Sequence, residues 1–245
     1  MRVDLRYQIS LFGDFMHLEL SSDITNELSN ELSSFNLIPG VFVETKLSAS
    51  GVQNSSRLCM RSADLSFSIE FKLDRIDFYL LNTDINVFDM KSIDSFAKQV
   101  KGIYTRIDRV IQSKIRRVGF VRYLLFIDDI DHSKVYKRLN TNIKFYENLS
   151  MKDWSNYLPA SITLPSGIPA NAVTTIKHFT NELKISSTIK QCDGVMVITD
   201  VNTLAENIEL KYDIYQSMEI IDELQKVEYK LCSQITNFIN GANEK

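Results

Sequence analysis

The chain is poor in the residues from which many active sites and scaffolds are built. Its three cysteines, Cys59, Cys192 and Cys232, lie far apart in 245 residues. An odd number without metal-site spacing excludes a secreted disulfide framework and a cysteine zinc site, and leaves the thiols as small buried hydrophobes. Eight glycines and four prolines argue against long disordered stretches. They also leave little from which to make a loop that holds a nucleotide through backbone N–H groups. There is no Gly-rich phosphate loop with lysine, no Gly-x-Ser-x-Gly elbow and no Cys-x-x-Cys. Neither sign of charge dominates, with 28 Lys and Arg against 31 Asp and Glu and a net charge of −3. Binding to nucleic acid or an anionic membrane would therefore need a local basic patch. Apolar runs such as Leu124–Ile127 and Val195–Ile198 are far shorter than the roughly 20 residues that span a bilayer. Met1 to Arg6 alternates charged with apolar residues and lacks a signal-peptide core, so a cytoplasmic location is expected. The three histidines, His17, His132 and His178, have no histidine near them in sequence and read as hydrogen-bonded structural residues.

Hydrophobic patterning is the strongest signal present. In residues 65–73 every odd position is large and apolar, and every even one is polar or charged. An extended chain has a side-chain period of two, so Leu65, Phe67, Ile69, Phe71 and Leu73 share one face. A half-covered antiparallel sheet needs that pattern; a parallel sheet buried on both faces would not show it. Further strands are expected at 2–12, Phe15–Leu20, Val41–Leu47, Arg57–Arg61, Ile76–Leu81, Val118–Ile127 and Val195–Thr199. A tight hairpin joins two of them at Asp74-Arg75. Ser21-Ser22-Asp23 supplies N-cap residues for a helix carrying Ile24, Leu28, Leu32 and Phe35, which Pro39-Gly40 stops. Ser48–Ser56 reads as an exposed loop.

The helical period is clear from Ser92 to Gln112, where Ile93, Phe96, Val100, Ile103, Ile107 and Val110 recur every three or four residues. A short helix is expected at Ser133–Leu139 and a long final one from Leu204 to Ile239. Val173–Ile185 fits both periods and leans to strand. Residues 150–170 hold Pro159, Pro165, Pro169 and Trp154 and read as a loop or hinge. No fixed-period repeat is present. The expected architecture is α+β, with residues 1–245 as a single domain and two long helices over one face of a mainly antiparallel sheet.

Several short pieces occur together in a familiar order. They are Leu37-Ile38-Pro39 before a strand, Asp74-Arg75-Ile76-Asp77 at a hairpin, Arg117-Val118-Gly119-Phe120-Val121-Arg122-Tyr123 after the long helix, and Asp200 closing a strand before a terminal helix. In these the chain resembles a sporadically distributed bacterial family of about 250-residue proteins of uncharacterised function, often encoded near mobile or defence genes. The resemblance implies an α+β fold and a bacterial cytoplasm. It carries over no catalytic residue.

Four constellations could carry chemistry. Asp128-Asp129-Ile130-Asp131-His132 clusters carboxylates at a strand end, as a Mg²⁺ or Mn²⁺ site would, but aspartates also end strands and cap helices. Glu70-Phe71-Lys72 with Asp64 has the residue types of a metal-dependent nuclease, yet Asp64 starts the same strand, and Glu44–Lys46 repeats the triplet. Lys98, Lys101, Arg106, Arg109, Lys114, Arg116, Arg117 and Arg122 form the densest basic stretch, where phosphates or an acidic partner could bind, with Tyr104 available for stacking. The acidic terminal helix carries Ile214, Met218, Ile221, Leu224 and Leu231 along one stripe, a seam for a protein partner or a second copy. The acids of that helix could also meet the basic 98–122 region of another copy. No catalytic residue, metal ligand or cofactor is assigned. The leading expectation is a non-enzymatic interaction or assembly subunit of a bacterial defence or mobile-element system. The alternatives are a nucleic-acid-binding protein using the 98–122 surface and a metal-dependent nuclease.

Overall fold

The structure, a computed structural model, describes residues 1–15, 21–48, 51–87, 89–128, 130–140 and 153–241, with the backbone alone for 46–48. Among them the chain runs β1 (Arg2–Gly13), α1 (Ser22–Glu31), β2 (Ile38–Ser48), β3 (Gly51–Arg61), β4 (Phe67–Phe71), β5 (Arg75–Leu81) and α2 (Ile93–Ile111). It continues β6 (Ile115–Ile127), α3 (His132–Leu139), β7 (Ser155–Thr163), β8 (Pro169–Ile185), β9 (Thr188–Thr203) and α4 (Ile214–Gly241). The strands form one antiparallel sheet in the order β2-β3-β4-β5-β1-β6-β9-β8-β7. The fold is therefore α+β. No described helix is long and apolar enough to cross a membrane.

The order of elements is doubled. Each half opens with a strand and a helix, continues as an antiparallel meander and closes with a long helix. In each half the last strand returns beside the first, β5 on β1 and β9 on β6. The two opening strands then pair antiparallel with one another in the middle of the sheet. Among the described residues the second half has one strand fewer. This internal symmetry leaves no repeat in the sequence, because each half meets the symmetric requirement with different apolar residues.

Side-chain alternation along the central strands sets the layers. Leu124 and Phe126 on β6 join one apolar cluster with Val195, Val197 and Ile235, while Leu125 and Ile127 join another with Val3, Ile85 and Met196. On β1, Tyr7, Ile9 and Leu11 enter the largest cluster, together with Phe96, Val100, Ile103 and Ile107 of α2 and Ile220, Ile221 and Leu224 of α4. Phe96 is fully buried, its ring centroid 5.8 Å from Tyr7 and 6.3 Å from Phe67. An irregularity between Asp4 and Arg6 in the pairing of β1 with β6 brings Asp4 and Tyr7 opposite Leu124 and Arg122. α1 and α2 start where expected, capped by the Ser21 and Ser92 hydroxyls.

Several expected boundaries move. β4 covers Phe67–Phe71 only: Leu65 has φ 59°, sits in the preceding turn and is 62% exposed, so the apolar run overreaches the strand. Residues 51–56 are paired strand rather than loop, and Pro39-Gly40 lies inside β2, where an edge position tolerates a residue without N–H. Ser155–Thr163 is strand rather than loop or hinge, with Pro159 again on an edge strand. Val173–Ile185 falls within β8, as its Thr and Val content suggests. The β8–β9 link is Ser186-Ser187, both at positive φ, which matches the twist of the flanking strands. The terminal helix begins at Ile214, ten residues later than expected at Leu204, after β9 has run to Thr203. Residues 16–20 of the expected second strand lie outside the described residues, as does Asp129.

Candidate functional site

The sheet face that carries Gln8, Ser10 and Phe12 holds a buried polar network centred on Asp77 of β5. Asp77 lies opposite Ser10 on β1 and Glu70 on β4, so the three project together. Its carboxylate is 0% exposed and accepts from Ser10 Oγ at 2.5 Å, Lys72 Nζ at 2.7 Å, Arg75 Nε at 2.8 Å and Tyr79 OH at 3.0 Å. Burial pushes the Asp77 pKa up, but the Arg75 guanidinium and Lys72 ammonium outweigh it and hold it below the ordinary carboxylate range. Lys72 also pairs with Glu70 at 3.0 Å, and Arg6 lies over the Tyr79 ring. The Glu70-Phe71-Lys72 triplet thus meets an acid on the adjacent strand, but Asp77 and not Asp64. Asp64 accepts from Ser62 and Ser66 in the turn before β4. Donors fill the Asp77 oxygens, which suits a structural hub better than a cation site.

A second buried ionic group lies on the helix side of β6. Arg122 donates from Nε to Asp4 at 2.6 Å, and its Nη1 faces both oxygens of Glu228 of α4 at 3.4 and 3.5 Å. Thr199 Oγ1 donates to Glu228 at 3.1 Å. Burial of this fully enclosed carboxyl raises its pKa despite the guanidinium. A cavity of about 410 Å³ adjoins the group, bordered by Asp4, Tyr7, Asp94, Arg122, Tyr229 and Cys232.

The basic stretch is divided among several places. Lys101 pairs with Asp222 of α4 at 2.6 Å, and Arg106 and Arg109 both face Glu31 of α1, at 3.7 and 3.4 Å. Arg117 lies on the Asp77 side of the sheet, donating to Asn202 at 2.9 Å with its guanidinium over Phe12. Arg122 is inside. Lys98 and Lys114 are exposed, and Arg116 is half-buried. The acidic α4 and basic α2 thus meet within one chain. The stripe expected as a partner seam packs on the protein's own core: Ile221 and Leu224 are fully buried, and Ile214, Met218 and Leu231 are packed against the same cluster.

One outward-looking feature is the β2–β3 hairpin. β2 and β3 pair along their whole length, from Ile38 opposite Arg61 to Ser48 opposite Gly51, yet β3 pairs with β4 only over Cys59–Arg61. The rest projects as a two-stranded arm, and β2 is an edge of the sheet. Val41 and Val43 of that edge are 54% and 62% exposed, and Ile38 and Val52 are similarly open. Glu44 accepts from Arg57 Nε across the arm and from the Leu73 backbone N–H, which ties the arm to the β4–β5 turn, both at 3.2 Å. A cavity of about 470 Å³ is bordered by Phe42, Glu44, Glu70, Lys72, Asp74 and Arg75.

In the acidic run, Asp131 caps α3, accepting from the N–H groups of Ser133 and Lys134. Sequence reasoning missed that His132 and His178 meet. Their rings stack at 4.0 Å, a proximity created by the sheet that no spacing in the chain could signal. The chain matches no protein-family model, no curated protein and no solved structure.

Proposed function

We propose that the chain is a non-enzymatic assembly subunit that accepts a strand from a protein partner along the β2 edge. The observation that carries this is the arm: a long edge strand with exposed Ile38, Val41 and Val43, backed by only one strand over most of its length. An isolated two-stranded ribbon is marginally stable in water, and an apolar unpaired edge is a template for further pairing. Strand addition answers both, with main-chain hydrogen bonds giving affinity and alternate side chains giving specificity. On this reading α2 and α4 form the layer over one face of the sheet, and their ion pairs serve that packing. Lys101, Arg106 and Arg109 already face acids within the chain, which leaves the nucleic-acid reading with less support.

A photo-crosslinking residue at Val43, compared with one at the exposed Tyr215 of α4, tests the proposal in the native host. One adduct of defined mass from position 43, absent from position 215 and lost with Val41→Lys, is expected. Equal labelling from both positions, or an adduct indifferent to Val41→Lys, would sink it. An adduct of twice the chain's mass would assign the occupant to a second copy.

A further inference from the structure

We propose that His132, His178 and Asp193 bind a first-row divalent cation of the Zn²⁺ type. The three come from separate elements: the first residue of α3, the middle of β8 and the beginning of β9. Register explains the meeting of two of them. Thr180 lies directly opposite Asp193, and His178, two residues before Thr180, shares its face, so His178 and Asp193 are diagonal neighbours. Asp193 Oδ1 lies 2.9 Å from His178 Nε2. The ring of His132 then stacks on that of His178 at 4.0 Å with 15° between the planes. One potential ligand atom from each of the three residues falls within a 4.8 Å group.

Around a tetrahedral Zn²⁺ with bonds of about 2.0–2.1 Å, neighbouring ligand atoms stand about 3.3 Å apart. The ligand atoms are therefore within about 1.5 Å of coordinating distances. Because a metal lies in the plane of each imidazole it binds, the His132 ring must also turn out of its near-parallel stack on His178, a rotation that its side-chain torsions supply. Two imidazoles and a carboxylate are the donor set of Zn²⁺ and its first-row neighbours, whereas Mg²⁺ and Ca²⁺ prefer all-oxygen sites. An independent observation points the same way. Nδ1 of His132 is buried and, among the described residues, has no hydrogen-bond partner. A buried nitrogen without a partner is costly, and coordination through Nδ1 would give it one. Val195, opposite His178 on β9, belongs to an apolar cluster with Trp154, Val135 and Tyr136. His178 is held there by its backbone N–H, which donates to the Trp154 carbonyl at 3.0 Å. The Asp193 side chain is 62% exposed, so the cation's remaining position would face solvent. The cation would tie α3 to the β8–β9 hairpin.

The test is calorimetric titration of untagged protein with ZnCl₂, with MgCl₂ as the control and Co²⁺ as the spectroscopic probe. One Zn²⁺ per chain is expected, with no response to Mg²⁺. Co²⁺ should give visible d–d bands without a thiolate charge-transfer band. His132→Gln should weaken Zn²⁺ by more than about 100-fold, beyond the 10–100-fold that loss of an outer partner causes. Asp193→Asn, at an exposed position, supplies a second variant if His132→Gln fails to fold, and should weaken binding at least about tenfold. Zn²⁺ binding no stronger than Mg²⁺, a thiolate band, or unchanged affinity in the folded variants would overturn the proposal.

Discussion

Asp77→Asn isolates the electrostatic hub of the sheet. The substitution keeps the volume and one carbonyl oxygen but replaces an acceptor oxygen with an NH₂ group, set among Lys72, Arg75, Tyr79 and Ser10, which all donate to Asp77. A hydrogen bond to a charged group contributes about 1.5–3 kcal/mol, and breaking a buried ion pair costs about 3–5 kcal/mol. Two features reduce the total. Lys72 keeps Glu70 at 3.0 Å, and the Arg75 side chain is 33% exposed, so water screens its share. A loss of about 2–4 kcal/mol at pH 7 is expected, read as a lower urea midpoint with an unchanged m-value. Acid supplies a sharper check. The folded-state pKa of Asp77 is depressed, so its contribution is fully present above the unfolded aspartate value of about 3.9 and fades as pH falls through the folded value. The gap between the native protein and Asp77→Asn should stay level above about pH 5 and narrow below about pH 4. A loss under about 1 kcal/mol at pH 7, or a gap that ignores acid, would refute the assignment of Asp77 as a charged hub.

Two glycines should respond in opposite senses. A Cβ at Gly194 would collide with the Phe126 carbonyl oxygen across the β6–β9 pair, so Gly194→Ala should destabilise by at least about 3 kcal/mol in urea. A Cβ at Gly102, inside α2, meets only Phe35 Cζ at 3.9 Å, and Gly102→Ala should raise stability by about 0.5–1 kcal/mol. Phe96→Ala removes a fully buried ring packed on Tyr7 and Phe67 and should cost about 3–5 kcal/mol by the same assay. Arg122→Met leaves Glu228 enclosed without its cation and should cost about 3–5 kcal/mol at pH 7. The raised pKa of Glu228 favours its protonated form, a contribution present in acid and lost as pH rises through the folded value. The Arg122→Met deficit should therefore shrink on acidification, and a constant deficit would refute the role given to Glu228.

Local periodicity made the long elements legible. The three-and-four spacing of Phe96, Val100, Ile103 and Ile107 placed α2 almost to the residue, and the alternation of Val3 to Leu11 placed β1. It failed where tertiary context overrides composition. The prolines that suggested a loop at 150–170 sit beside and within an edge strand, where a missing N–H is harmless. Leu65 continues the apolar pattern but turns outward because the chain needs a left-handed residue there. The basic residues of 98–122 are contiguous in the chain, yet a helix and a strand distribute them over both sides of a sheet. The His132–His178 contact depends on the register of β8 against β9 and on where α3 lands, and neither is written in local spacing.

The meeting of β1 and β6 at the centre of the sheet bears on synthesis. β1 finds its first neighbour once the chain reaches β5, so the N-terminal meander can close while the remainder is still on the ribosome. The other side of β1 then waits as an open edge until Ile115–Ile127 emerges. During that interval the β6 of another nascent copy is a chemically equivalent mate.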